Sequence, residues 1–246
     1  MEEAHRAKQD YRVRMSASGG APVVLLHGWA GSYRETWQST GVDALLADAG
    51  REVVGVDLLG HGDADKPHDP EAYADLSGWL LHRLSEAPPV VDAAGFSLGA
   101  LTLLGALIAE PTRFGSVLLS GIGDGVFAAR DEARHSRIVA ALEGRADDSE
   151  TGALIFANYA STPGKDKAAL TAIMNRPASP PIDPASLSPI TNPVRVVIGE
   201  NDFAAPAGRL AGAFPNGDLV VLRNTDHFAT PESFSFIDAL LEFFGE

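Results

Sequence analysis

The sequence predicts an α/β protein with a mostly parallel central sheet flanked by helices, and three observations lead there. Short apolar runs alternate with longer helical patterns, as in successive βαβ units. Runs such as Val23-Val24-Leu25-Leu26 are apolar without alternation, which suits strands covered on both faces. The rhythm breaks once, between Gly121 and Asn192, where no convincing strand occurs.

The strand candidates are Pro22–His27, Glu52–Asp57, Val90–Phe96, Ser116–Ser120, Pro193–Glu200 and Asp218–Leu222. Tyr11–Ala17 alternates and is expected to add an antiparallel edge strand. Helical patterns fall at Glu35–Ala49, Ala72–Ser85, Leu98–Glu110, Pro206–Phe214 and Glu232–Phe244. Within the break, helical stretches occupy Val126–Leu142, Glu150–Ala160 and Lys165–Asn175, followed by a stretch rich in proline from Pro177 to Pro193. A plain crossover needs roughly a dozen residues. The segment 121–192 is therefore read as a helical cap inserted before the last two strands, with a stiff extended return linker. Residues 1–120 and 193–246 then form the core domain. A second independent domain is the other reading, but so short a segment is expected to borrow its core from the sheet.

The 246 residues suffice to bury an ordinary core, and 45% hydrophobic with 21% charged residues is a globular composition. With no cysteine, disulfides, cysteine-ligated zinc, iron–sulfur clusters and thiol catalysis are excluded. A formal net charge of −14 argues against nucleic acid as a partner. Met1 to Ser18 lacks an apolar signal-peptide core, and the apolar stretch Leu98–Ala109 is too short for a membrane span. A cytoplasmic protein is expected.

Gly95-Phe96-Ser97-Leu98-Gly99 lies where an apolar run ends and a helical pattern starts. A serine in such a sharp strand-to-helix turn projects its hydroxyl away from the sheet, and the flanking glycines let strand and helix approach. The following helix directs free N–H groups towards developing negative charge. A plain N-cap serine would carry the same local pattern. Ser97 is the candidate nucleophile.

His27-Gly28-Trp29 closes the first long apolar run, and at this point the chain resembles the α/β-hydrolase family, whose members often carry His-Gly-x at the end of an early strand. The resemblance extends from about Tyr11 to the C-terminus. It implies an oxyanion hole formed by the backbone N–H groups of Trp29 and Leu98, with His27 bracing the loop. It also implies a general base at His227, in Asn224-Thr225-Asp226-His227-Phe228 after the last strand. An imidazole suits that task because it can take and return a proton near neutral pH. Asp202, in Gly199-Glu200-Asn201-Asp202-Phe203, completes the order nucleophile–acid–base of this fold. Glu200 competes locally, and Asp124 competes from the position after the preceding strand; Asp226 is expected to point away. Asp57-Leu58-Leu59-Gly60-His61-Gly62 resembles another family loop, with Asp63 where serine is common. His82 and His135 are expected on helix surfaces.

These motifs imply acyl transfer through a covalent intermediate, without a metal or cofactor. A nucleophilic serine argues against the branches that use aspartate, the epoxide hydrolases and haloalkane dehalogenases. The pocket is expected between sheet and cap, walled by Phe96, Phe127, Phe156, Phe203 and Phe228, with Trp29, Ile155 and Tyr159 nearby. Its apolar character points to a small or medium acyl ester as the small-molecule substrate, hence a carboxylesterase. A lactone, a thioester, a carbon–carbon bond or a perhydrolase reaction uses the same triad, and a non-catalytic receptor is the reading of another class. The Gly-Pro-Gly stretch of many carbon–carbon hydrolases is replaced here by Ala30-Gly31-Ser32 after Trp29.

Overall fold

The computed structural model describes residues 12–14 and 20–245. Six strands run parallel: β2 (Val23–Leu26), β3 (Val53–Val56), β4 (Val91–Phe96), β5 (Phe114–Ser120), β6 (Val194–Gly199) and β7 (Gly217–Leu222). The short β1 (Arg12–Arg14) pairs antiparallel with β3, so the order across the sheet is β1-β3-β2-β4-β5-β6-β7. The expected edge strand is thus present at its centre; Tyr11 and residues 15–17 lie outside the described residues.

Successive strand residues feed two separate cores because side chains alternate across the sheet. Val24 and Leu26 of β2 belong to one apolar cluster with residues of the helices α2 (Leu76–Arg83), α3 (Leu98–Ala109) and α7 (Gly208–Gly212). Val23 and Leu25 face α1 (Val42–Asp48) and α8 (Phe234–Phe244), whose Phe236, Leu240 and Phe244 are buried there. Both faces of β2 and β3 are covered, which is why Val23–Leu26 and Val53–Val56 read as unbroken apolar runs. The outer strand β7 is covered less, and Val221 is 52% exposed.

Several helical patterns are interrupted where side chains or glycines cap the backbone. The pattern at Glu35–Ala49 divides into a π-helical turn, Arg34–Gln38, and α1, separated by Gly41 at φ 79°. Asp75 accepts from Gly78 N and starts α2 afresh after a 3-10 turn, Pro70–Tyr73. Asp131 accepts from Arg134 N and begins α4 (Glu132–Leu142), so Val126–Leu142 is not one helix. Pro206–Phe214 contributes only the five residues of α7.

Between β5 and β6 the chain forms α4, α5 (Thr151–Ala160) and α6 (Lys167–Met174). Their buried Ile138, Leu142, Ala157, Leu170 and Ile173 belong to the same apolar cluster as Leu26, Val56 and Leu119 of the sheet. The proline-rich return holds one 3-10 turn, Pro184–Ser186. Asn192 then anchors its end by donating Nδ2–H groups to the carbonyls of Pro111, Phe114 and Gly115.

The tightest crossing lies where α3 starts over β2. A β-carbon on Gly99 would stand 2.5 Å from the carbonyl oxygens of both Leu26 and His27. Backbone on both sides cannot yield cheaply. Gly99→Ala is expected to lower unfolding free energy by about 2 kcal/mol or more in chemical denaturation, whereas Gly152→Ala, which meets nothing within 4 Å, stays close to wild type.

Candidate active site

Ser97 follows the last residue of β4 at φ 53° and ψ −111°, in the left-handed half of backbone space that a side chain rarely occupies. Such a residue costs on the order of 1–3 kcal/mol and persists only where its surroundings hold it. Here Ser97 N donates to Ser120 O at 2.8 Å, and a β-carbon on Gly95 would lie 2.7 Å from the Ala100 backbone. The serine makes no side-chain cap bond to α3, so the plain N-cap reading does not hold. Its Oγ lies instead 2.9 Å from His227 Nε2.

His227 follows β7 and carries its ring between that hydroxyl and Asp202. Nδ1 lies 3.0 and 2.9 Å from the two carboxylate oxygens of Asp202. With Nδ1 donating to the carboxylate, Nε2 is left to accept the serine proton. Asp202 and His227 are only 5% and 6% exposed, which keeps water from competing for these bonds. Asp202 Oδ1 also accepts from Ala204 N at 2.8 Å, fixing the carboxylate after β6. The rival acids are committed elsewhere: Asp124 Oδ1 accepts from Leu210 N, Glu200 from Asn224 N, and Asp226 from Ala229 N.

The loop after β2 passes directly beside Ser97. A β-carbon on Gly28 would meet Phe96 Cδ1 at 2.9 Å and Ser97 Cβ at 3.3 Å, so the backbone at Gly28 borders Ser97. Two buried imidazoles hold this loop. His27 Nδ1 donates to Gly28 O at 2.7 Å, and its Nε2 accepts from Leu58 N at 3.0 Å. His61 Nδ1 donates to Leu59 O at 3.0 Å, and its Nε2 accepts from Ala30 N at 3.0 Å, holding Ala30 at φ 59°. The rings meet edge to face, 4.9 Å apart. Burial pushes both pKa values down, that of His61 well below the usual histidine value. Both rings are therefore neutral acceptors near pH 7. His61 thus braces the loop after β2 from the neighbouring loop after β3.

Asp57 explains the neighbouring motif. It accepts from the backbone N–H groups of Tyr33 and Asp63, with Gly62 turned to φ 46° beside the carboxylate. The contact to residue 63 comes from its main chain, so replacing serine by Asp63 preserves it. His82 is exposed on α2 as expected, but His135 is half-buried.

A cavity of about 100 Å³ opens at Ser97. Phe96, Phe156 and Phe228 line it, together with Trp29 and Tyr159. Two expected wall residues are placed differently. Phe203 does not line this cavity; it lies against the outer side of His227, with ring centroids 4.2 Å apart. Phe127 sits in the 3-10 turn Asp124–Phe127, beneath the Arg209 guanidinium, because the helix expected from Val126 begins only at Glu132. Sequence reasoning missed Thr36, Glu35 and Glu232, which reach the cavity from the π-helical turn and from the turn before α8. Nothing in their local sequence marks them. Among the described residues no group of three or more His, Asp or Glu side chains is arranged to hold a metal, and no helix is long and apolar enough to cross a membrane.

The sequence profile of the alpha/beta hydrolase family matches residues 23–235, and the chain belongs to that family. Solved structures of similar fold carry several activities in their descriptions. An enol-lactonase from Burkholderia xenovorans aligns over 96% of each chain at TM-score 0.73 with 22% identity. A marine microorganism esterase aligns over 95% of this chain and 99% of its own, at TM-score 0.68 and 20% identity. A bromoperoxidase from Bacillus anthracis aligns over 96% and 95%, at TM-score 0.71 and 23% identity.

The neutral imidazoles give stability a pH dependence of definite sign. In the unfolded chain both titrate near pH 6.5, whereas in the folded chain they resist protonation. Unfolding then takes up protons, and stability falls as pH drops through that value. Denaturation midpoints are expected to decline from pH 7.5 to pH 5.5. His61→Gln should be destabilised at pH 7.5 by about 1–3 kcal/mol, through the disturbed acceptor for Ala30 N, and should decline less steeply.

Proposed function

We propose that this protein hydrolyses a carboxylic ester with a small or medium acyl group through a Ser97–His227–Asp202 triad. The observation that carries the reading is the continuous chain of short contacts from Asp202 through His227 to Ser97 Oγ, ending in the cavity. Ser97 Oγ attacks the ester carbonyl while His227 Nε2 takes its proton. The tetrahedral oxyanion is held by the backbone N–H groups of Trp29 and Leu98, each worth about 3 kcal/mol in the transition state. His227 then passes the proton to the departing alcohol, and the acyl group remains on Ser97. Water, deprotonated by His227, attacks the acyl-enzyme, and the acid leaves with Ser97 restored. Asp202 stays ionised, fixing the ring and stabilising the imidazolium.

Residues 121–192 act as a cap over the site. Phe156 and Tyr159 of α5 close the cavity from that side, and Trp29 Nε1 donates to Leu170 O of α6 at 3.2 Å. An apolar cavity of 150 Å³ takes a molecule the size of benzene, so the smaller volume here favours an acyl chain of a few carbons.

A fluorophosphonate should label the wild type and fail to label Ser97→Ala. Across p-nitrophenyl esters, kcat/KM should peak at short acyl chains. An unlabelled, folded wild type would instead favour a binding protein on this fold. Asp202→Asn is expected to lower kcat by about 10³–10⁴-fold, while Asp124→Asn should lose stability and keep kcat within a few-fold of wild type.

A further inference from the structure

We propose that a groove on the outer side of His227 binds the leaving-group half of the substrate, and that it accepts an apolar alcohol or phenol carrying an anionic terminus recognised by Arg134. The inference rests on the hydrolase reading above and adds the chemistry of one half of the substrate.

The groove, about 430 Å³, is lined by Ile155, Phe156, Phe203, Phe228, Arg134 and Arg137, among others. Phe156 and Phe228 line both this groove and the Ser97 cavity, so the two spaces adjoin at these rings. Ile155, Phe203 and Phe228 are 49%, 46% and 44% exposed. Scattered exposed apolar residues need no explanation, but three gathered on one groove beside a reactive serine mark a binding surface.

Its place beside the imidazole decides which half it holds. Phe203 stacks on His227 with an interplanar angle of 32°, and Phe228 meets the same ring edge to face at 5.6 Å. The proton that His227 delivers goes to the leaving oxygen, so the departing group must lie on the imidazole side. The acyl half then occupies the space bordered by Gly28, Gly31 and Thr36, beside the oxyanion loop.

Charge separates the two ends. The Arg134 guanidinium carbon stands 4.3 Å over the centroid of Phe203. Arg137 is paired with Glu150 at 3.4 Å, but among the described residues no carboxylate lies within 4.0 Å of the Arg134 guanidinium. Asp131 is committed to the start of α4, where it accepts from Arg134 N. At the other end Glu35 and Glu232 border the cavity, with Lys165 opposing Glu35 at 3.5 Å. An anion is therefore favoured in the groove and disfavoured on the acyl side. An arginine spread over an aromatic face presents its N–H groups to a planar carboxylate or a phosphate bound alongside.

The test uses two acetyl esters of matched shape, 4-acetoxybenzoate and the neutral 4-acetoxybenzamide, each hydrolysed with one water to acetate and the corresponding phenol. Arg134→Gln is expected to raise KM for the anionic ester about five-fold, the size of a solvent-accessible charge pair. KM for the amide and kcat for both esters should stay within about two-fold, and Arg134→Lys should restore most of the preference. Equal losses on both esters, or none, would overturn the subsite. A second arm measures binding of the two phenol products to Ser97→Ala, with and without Arg134→Gln, by calorimetry. Absence of turnover by wild type would sink the hydrolase reading alone. Equal affinity for acid and amide, unchanged by Arg134→Gln, would sink the subsite whatever the turnover.

Discussion

Where the first turn of α3 crosses the end of β2, the carbonyl oxygens of Leu26 and His27 crowd the α-carbon of Gly99 so closely that no side chain fits. The same turn presses Gly95 against Ala100, and it is this double contact that forces Ser97 into its left-handed conformation. A serine placed there cannot relax into an ordinary helix cap. Its hydroxyl is left facing His227 from the loop after β7, while the loop carrying Gly28 passes beside the same serine. Steric exclusion at two glycines thus fixes the relation between three separate loops, and Asp202 enters as a fourth through the imidazole.

Histidine serves two unlike ends in this small region, and the difference lies in what each ring nitrogen meets. His27 and His61 each donate to a carbonyl and accept from a backbone N–H, with desolvation opposing a positive charge. They are structural acceptors that serve the loop best when uncharged. His227 has a carboxylate at Nδ1 and a hydroxyl at Nε2, so its two nitrogens meet side chains of different chemistry. The same side chain is a fixed brace in one setting and, on the function proposed above, a proton carrier in the other.

Much of this was legible in the sequence because it follows from chain-local rules. Unbroken apolar runs marked the strands buried on both faces, and the glycines around Ser97 marked the sharp turn. The partners of Ser97 were legible through order along the chain, each placed after a predicted strand, and the geometry now brings Asp202 rather than Asp124 to His227. Helix boundaries were less legible, since Asp75 and Asp131 cap helices from within runs whose periodicity continues past them. Glu35, Thr36 and Glu232 were not legible at all. They reach the cavity only because a π-helical turn and the turn before α8 converge there, and no local pattern encodes that meeting. The displacement of Phe127 and Phe203 has the same origin: composition named aromatic walls, but backbone direction decided which surface each ring faces.

The hydrogen bond from the Trp29 indole to the Leu170 carbonyl joins the loop after β2 to a helix of the segment between β5 and β6. On the reading proposed above, the residue that contributes a main-chain donor to the reaction also grips the cover of the site through its side chain. Lifting the cover would then pull on the donor. Admission of substrate and readiness for chemistry would be two positions of one lever, with an open site poorly assembled and an assembled site closed to exchange with solvent.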